Sequence, residues 1–106
     1  MTLPTQLVLR SLLSDPTGMH YGLQLGAAAG LPSGTIHPIL ARLEAFGWLE
    51  SHWEDADPRA AGRPRRRYYV FSPDGAEQAR IALALVDTKR HALRIRPPGL
   101  AGGATA

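Results

Sequence analysis

A chain of 106 residues holds one domain, enough for a modest core but not for a roomy enclosed active site. Its formal net charge of +3 and pI near 10.0 favour an acidic partner, and all twelve basic residues except Lys89 are arginine, the side chain suited to bidentate contacts with phosphate or guanine. Cysteine is absent, which excludes disulfides, zinc–thiolate sites and thiol chemistry. No apolar run approaches membrane-spanning length and the N-terminus shows no basic n-region or cleavage site, so a soluble cytoplasmic protein is expected.

Residues 3–13 are apolar nearly all round, with Thr2 as cap. A helix of that kind is either deep in a core or shared with a second subunit. Asp15-Pro16-Thr17-Gly18 is a turn. Residues 21–29 read as a second short helix ended by Gly30, and Gly30-Leu31-Pro32 leads into a third. There Ile36, Ile39, Leu40 and Leu43 recur at helical spacing on an inner side, and Thr35, His37 and Arg42 are assigned to the outer one. Ser33 is placed as N-cap and Gly47 as the left-handed stop. A helix packed on one side and armed with small polar and basic groups on the other suits a major groove.

After Gly47 the period changes. Leu49-Glu50-Ser51-His52-Trp53 alternates as a strand, and Arg66-Arg67-Tyr68-Tyr69-Val70-Phe71 is its aromatic, β-branched partner. Residues 54–65, with Pro58, Gly62 and Pro64, read as a long irregular polar loop. Ser72 and Pro73 are placed as cap and first position of a last helix running to about Ile95 and stopped by Pro97-Pro98, roughly 34 Å long at ~1.5 Å per residue. Residues 97–106 are expected to be a disordered tail, of Gly/Ala character from Leu100 to Ala106. Helix, helix, helix, hairpin, helix is the order of a winged-helix domain. The expected class is mainly α with a β-hairpin, a winged helix-turn-helix over residues 1–75 and a long dimerisation helix over 76–96.

Three stretches carry a resemblance. They are Tyr21-Gly22; Ser33-Gly34-Thr35-Ile36 with Pro38, Leu40, Arg42-Leu43-Glu44 and Gly47-Trp48; and Arg65-Arg66-Arg67-Tyr68-Tyr69 running into Ser72-Pro73-Asp74-Gly75. In this order and spacing they resemble the PadR-type transcriptional regulators of the short kind with a single C-terminal helix. The likeness runs from Leu7 to Gly75. His37 stands where that family usually has Tyr, and Phe71-Ser72 where Leu-Thr is usual. The first departure bears on a base or phosphate contact, the others on packing and capping. By resemblance Tyr69 and Phe71 face the core and Tyr68 faces outward, and the regulator is a repressor.

Pro38 interrupts the third helix near its start, where the early amides lack partners, so it is either a proline tolerated at little cost or one that tilts the first turn and alters how Thr35 and His37 meet the groove. The arginines at 59, 63, 65, 66 and 67 are either a solvated loop or a wing tracking phosphate, and their place beside a helix-turn-helix favours the wing. Glu54-Asp55-Ala56-Asp57 is expected to be turned from the DNA. His20, His37, His52 and His91 have no ligand spacing, so neither a metal nor another cofactor is expected. The Tyr21 hydroxyl either meets phosphate or belongs to an ordinary half-buried tyrosine. Trp48 is assigned to the core, and Trp53 is left open between exposed and covered. In the last helix Ala79, Ala82, Val86 and Leu93 form one stripe and Ile81, Leu85 and Ala92 another, which a single domain hardly covers, so the helix either pairs with a second copy or lies on its own domain and frays after Lys89. No positioned base or carboxylate pair supports an enzyme.

The reading is therefore a homodimeric regulator of double-stranded DNA. Thr35, His37 and Ser33 lie near base edges or adjacent phosphates. Arg42, Tyr21, Arg63, Arg65 and Arg66 lie on the backbone, and Leu9, Leu12, Ile81, Leu85 and Ala92 at the dimer contact. A small aromatic effector is left open, and no membrane is involved. The competing reading is a winged-helix protein-interaction module, which would more often show an apolar surface in place of the polar helix face and arginine wing.

Overall fold

In the computed structural model, which describes residues 1–55 and 57–94, the chain forms α1 (Leu3–Leu13), β1 (His20–Tyr21), α2 (Gly22–Ala29) and α3 (Ser33–Ala45). It continues through β2 (Leu49–Trp53), α4 (Pro58–Ala61), β3 (Arg67–Phe71) and α5 (Gly75–Arg94). This is a winged helix-turn-helix, mostly helical with one small antiparallel sheet. Thr2 caps α1, its Oγ1 accepting from the Thr5 amide at 3.3 Å. The core is built where α1, α2 and α3 meet, from Val8, Leu9, Leu12, Leu25, Ile36, Ile39, Leu40 and Leu43, and is closed by Leu49, Tyr69, Ala79 and Leu83.

The sheet has three strands, not the two of a simple hairpin, in the order β1-β3-β2. Leu49 lies opposite Phe71 and Trp53 opposite Arg67, while His20 and Tyr21 pair with Tyr69 and Tyr68. Tyr21 thus ends a strand and precedes α2 instead of opening it. The loop expected over residues 54–65 contains the single-turn α4. Asp57 caps it by accepting from the Arg59 amide at 3.0 Å, and Pro58 fills the first position, where a missing donor costs nothing.

Two expected caps fall elsewhere. The residue before α3 is Pro32, whose carbonyl takes the amides of Thr35 and Ile36 at 2.9 and 3.0 Å, and Ser33 is already the first helical residue. Pro38 consequently sits past the first intrahelical bond, in the helix interior. The amide it lacks would have served the carbonyl of Gly34, and Gly34 is exposed, so water can take that place. Ser72 does not cap α5. Its hydroxyl donates to the carbonyls of Gly47 and Trp48 at 2.6 and 3.2 Å.

The end of α3 is as expected. Gly47, at φ +81°, donates its amide to Glu44 and the next amide, Trp48, reaches back to Leu43, which stops the helix with its last carbonyls satisfied. Gly75 is needed for a different reason. A Cβ there would lie 2.0 Å from the Trp48 carbonyl oxygen, so α5 can start this close to the α3–β2 junction only on a residue without a side chain.

α5 lies along α1 in the opposite direction, tied by Arg10–Asp87 at 2.8 Å and by Arg90 donating to Gln6 at 2.9 Å. Ala79 and Leu83 are buried and Ala82 and Val86 half-buried, whereas Ile81, Leu85 and Ala92 are exposed. Leu83, absent from both expected stripes, carries much of the inward contact. Leu9 and Leu12 correct the expected dimer contact, because both are fully buried in the chain's own core and offer no surface to a second subunit. Ile95, the side chain of Leu93 and the tail at 97–106 lie outside the described residues. Among the described residues no helix is long and apolar enough to cross a membrane.

Candidate nucleic-acid interface

The outer side of α3 carries Ser33, Thr35, His37 and Arg42, all exposed except the half-buried Thr35. They do not share one face. Residues two apart in a helix stand about 200° apart at 3.6 residues per turn, so the periodicity divides them. His37 opens toward the wing into a cleft of about 500 Å³ with Tyr21, Leu23, Gln24 and Arg66. Thr35 and Arg42 open with Pro38 onto a second groove, beside Thr2 and Pro4 at the start of α1. The single outer face expected from the sequence is therefore two edges of one exposed ridge.

The wing is organised around a carboxylate. Glu54, the residue after β2, has a side chain only 11% exposed. It forms a salt bridge with the Arg63 guanidinium, whose second terminal nitrogen lies 3.4 Å away, and another with Nε of Arg66 at 3.5 Å. It also accepts the Arg66 backbone amide at 2.9 Å and, at a long 3.5 Å, the Tyr21 hydroxyl. The Glu54 amide in turn donates to the Arg66 carbonyl at 2.8 Å, closing the loop across its base. The Arg63 side-chain hydrogen bond, then the Arg66 amide, lower the Glu54 pKa to about 2. The same bond raises that of Arg63.

The acidic run, expected to be turned from the DNA, is divided by the structure. Asp55 is exposed, but Glu54 points into the cluster, and Asp57 is occupied by capping α4. Arg66 lies 4.2 Å over the Tyr21 ring, whose edge meets Tyr68 with centroids 6.3 Å apart. The Tyr21 hydroxyl faces Glu54, not the open surface. Tyr69 is buried, and Tyr68 and Phe71 are half-buried.

A second carboxylate fastens the wing to α3. Ser51 donates to Glu44 at 2.7 Å, and Arg67 donates to the Ser51 hydroxyl at 2.6 Å while its guanidinium lies 3.7 Å from Glu44. Trp48 is half-buried against Phe46, and Trp53 is 62% exposed with Arg67 5.7 Å from its ring centroid. Arg59 and Arg65 are exposed. Sequence reasoning missed the roles of Glu44 and Glu54. The only signal was a carboxylate in the last turn of α3 and another just after β2, with a run of arginines further along the chain. Among the described residues no three His, Asp or Glu side chains gather as a metal site.

The model of the transcriptional regulator PadR-like family matches residues 19–81, more than half the chain and the whole of this interface. The chain belongs to the PadR-like family of transcriptional regulators. That family is one of regulators rather than enzymes. No curated protein matches this PadR-like chain. Solved structures do. BpsR of Bordetella bronchiseptica, whose DNA binding is regulated by 6-hydroxynicotinic acid, aligns with a TM-score of 0.66 at 18% identity over 93% of this chain and 70% of its own. A transcriptional regulator homologue from Pyrococcus horikoshii OT3 gives 0.65 at 20% identity over 86% and 84%. Reduced AbfR bound to DNA gives 0.64 at 23% identity over 83% and 58%. At these identities the likeness is one of fold. The chain spans 55% of the disulfide form of AbfR and 63% of MepR of Staphylococcus aureus, so it is shorter than several of the regulators whose fold it shares.

Proposed function

We propose that this PadR-like chain is a cytoplasmic, homodimeric repressor that binds a palindromic operator. The observation that carries the reading is the juxtaposition of an exposed polar helix ridge with an arginine wing across one cleft, where His37 and Arg66 line opposite walls. In this reading α3 enters the major groove with Ser33, Thr35 and His37 toward base edges, and Arg42 lies on the backbone. Arg63, Arg65 and Arg66 face flanking phosphate. Tyr21 acts behind Arg66, through the stacked ring, instead of meeting phosphate with its hydroxyl. Residues 1–75 supply the DNA-binding unit and 76–96 the pairing helix, with the exposed Ile81, Leu85 and Ala92 at the two-fold contact.

DNA-bound AbfR supports a duplex as the ligand of the shared fold, and the regulation of BpsR by 6-hydroxynicotinic acid supports release by a small aromatic effector. Selection of bound fragments from random duplexes by the purified protein tests the reading. A recovered palindrome with half-sites about one helical turn apart, roughly 34–36 Å, is expected. Recovery of no enriched sequence refutes it.

A further inference from the structure

We propose that the Glu54 carboxylate limits the grip of the wing on DNA, acting as a fixed counter-charge behind Arg63 and Arg66. The inference rests on the DNA-binding reading above and concerns how that binding is weighted. Both terminal nitrogens of Arg63 are turned to Glu54, and so are Nε and the backbone amide of Arg66. A phosphate approaching the wing therefore meets two guanidinium groups and one carboxylate, a net charge of one where two arginines alone would present two.

The carboxylate does not leave when DNA arrives. With a side chain 11% exposed, its carboxylate accepting the Arg66 amide and its own amide donating to the Arg66 carbonyl, Glu54 cannot swing out without breaking the bonds that close the base of the wing. Detaching the arginines would strand a covered charge, which is costlier than sharing them. The guanidinium groups use their outward N–H donors on phosphate while the inward ones stay on Glu54, a division the five-donor fork permits. The wing is held in shape and weakened by the same group. The effect falls on the sequence-independent part of binding, so it sets the salt range over which the wing holds DNA and leaves the specificity ratio unchanged.

Glu54→Gln separates shape from charge. The amide oxygen still accepts from the Arg66 amide, and the negative charge is gone. Each phosphate charge neutralised adds about 0.9 to the slope of log affinity against log salt, so the variant should show a slope steeper by about 0.9. Extrapolated from 1 M salt, the gain at 0.1 M is about eightfold tighter binding, on operator and random duplex alike. The measurement is fluorescence anisotropy with a labelled random-sequence duplex and the selected operator across a salt series, with thermal melting to confirm the fold. Should Glu54→Gln melt out, Glu54→Met removes the same charge at similar volume and carries the same expectation. Unchanged or weaker binding by a folded variant, with an unchanged slope, overturns the proposal and makes Glu54 a structural clasp alone. If the wild-type protein binds no duplex at 50 mM salt, the DNA-binding reading itself falls, and this inference falls with it.

Discussion

Changing Leu85 to Arg tests the pairing of α5 most sharply, because the structure separates its effect on folding from its effect on assembly. Leu85 is 68% exposed and points away from the buried pair Ala79 and Leu83. Full burial of a leucine stabilises by about 1.5–3 kcal/mol, so its uncovered two-thirds has about 1–2 kcal/mol to contribute when a second α5 covers it. In a two-fold contact the residue occurs twice, giving roughly 2–4 kcal/mol, and at about 1.4 kcal/mol per tenfold the dimer Kd should rise roughly 30- to 700-fold. Two guanidinium groups brought together across the axis add to that. The monomer should scarcely notice, since substitutions at exposed positions away from special features stay within about 0.5 kcal/mol. Sedimentation velocity at micromolar concentration should show a monomer, circular dichroism should retain the helical spectrum, and operator binding should be lost. A protein that stays dimeric and still binds places the interface elsewhere. Leu9→Arg is the contrasting control, for a charge in the fully buried core should unfold the chain before assembly is in question.

Replacing His37 or Thr35 by Ala should each lower the preference for operator over random duplex by ~1–3 kcal/mol, measured by competition binding, and equal losses on both duplexes would move these side chains onto phosphate. Because the two lie on opposite edges of α3, the selected sequences should relax at different base positions in the two variants. The triple change of Arg63, Arg65 and Arg66 to Ala should flatten the salt slope by about 1.8, at about 0.9 for the net charge that Arg63 and Arg66 present over Glu54 and about 0.9 for Arg65, and an unaltered slope removes the wing from the backbone. Gly75→Ala forces a methyl against the Trp48 carbonyl and should cost ~1–3 kcal/mol, read as a fall in Tm of about 4–8 °C per kcal/mol, and an unchanged Tm would mean the junction is looser than described.

Much of the architecture was legible because single elements announced themselves. α1 was readable from its length and the Thr2 cap, α3 from four aliphatic residues at helical spacing, and the chain reversal after it from Gly47. The missed strand β1 has two residues, too few to display a period, and exists only because β3 offers it an edge. Leu9 and Leu12 were misassigned for a related reason. A helix apolar on all sides must be covered, but only tertiary structure tells whether its own domain or a second copy covers it. Here α2, α3 and α5 do so. Ser33 and Ser72 have the right chemistry for caps and a backbone that puts them one step late or faces them to other carbonyls. At the wing, the arginines were visible as a run of like charge, whereas the pairing of Glu54 across twelve residues depends on where the loop closes.

The junction at Trp48 has a mechanical consequence. Its carbonyl takes the Ser72 amide at 2.9 Å and the Ser72 hydroxyl, and it stands against Gly75, so the start of α5 is bolted to the residues that terminate α3. With 20 residues α5 is a rod about 30 Å long, and a tilt of about 5° about this joint carries its far end through about 3 Å. Because α5 is also tied to α1 through Arg10–Asp87 and Arg90–Gln6, such a tilt would carry α1 with it, and in the proposed dimer a displacement at the pairing contact would reach α3 through both. In the dimer proposed above, one hydrogen-bonded corner would join the pairing face of α5 to the exposed ridge of α3.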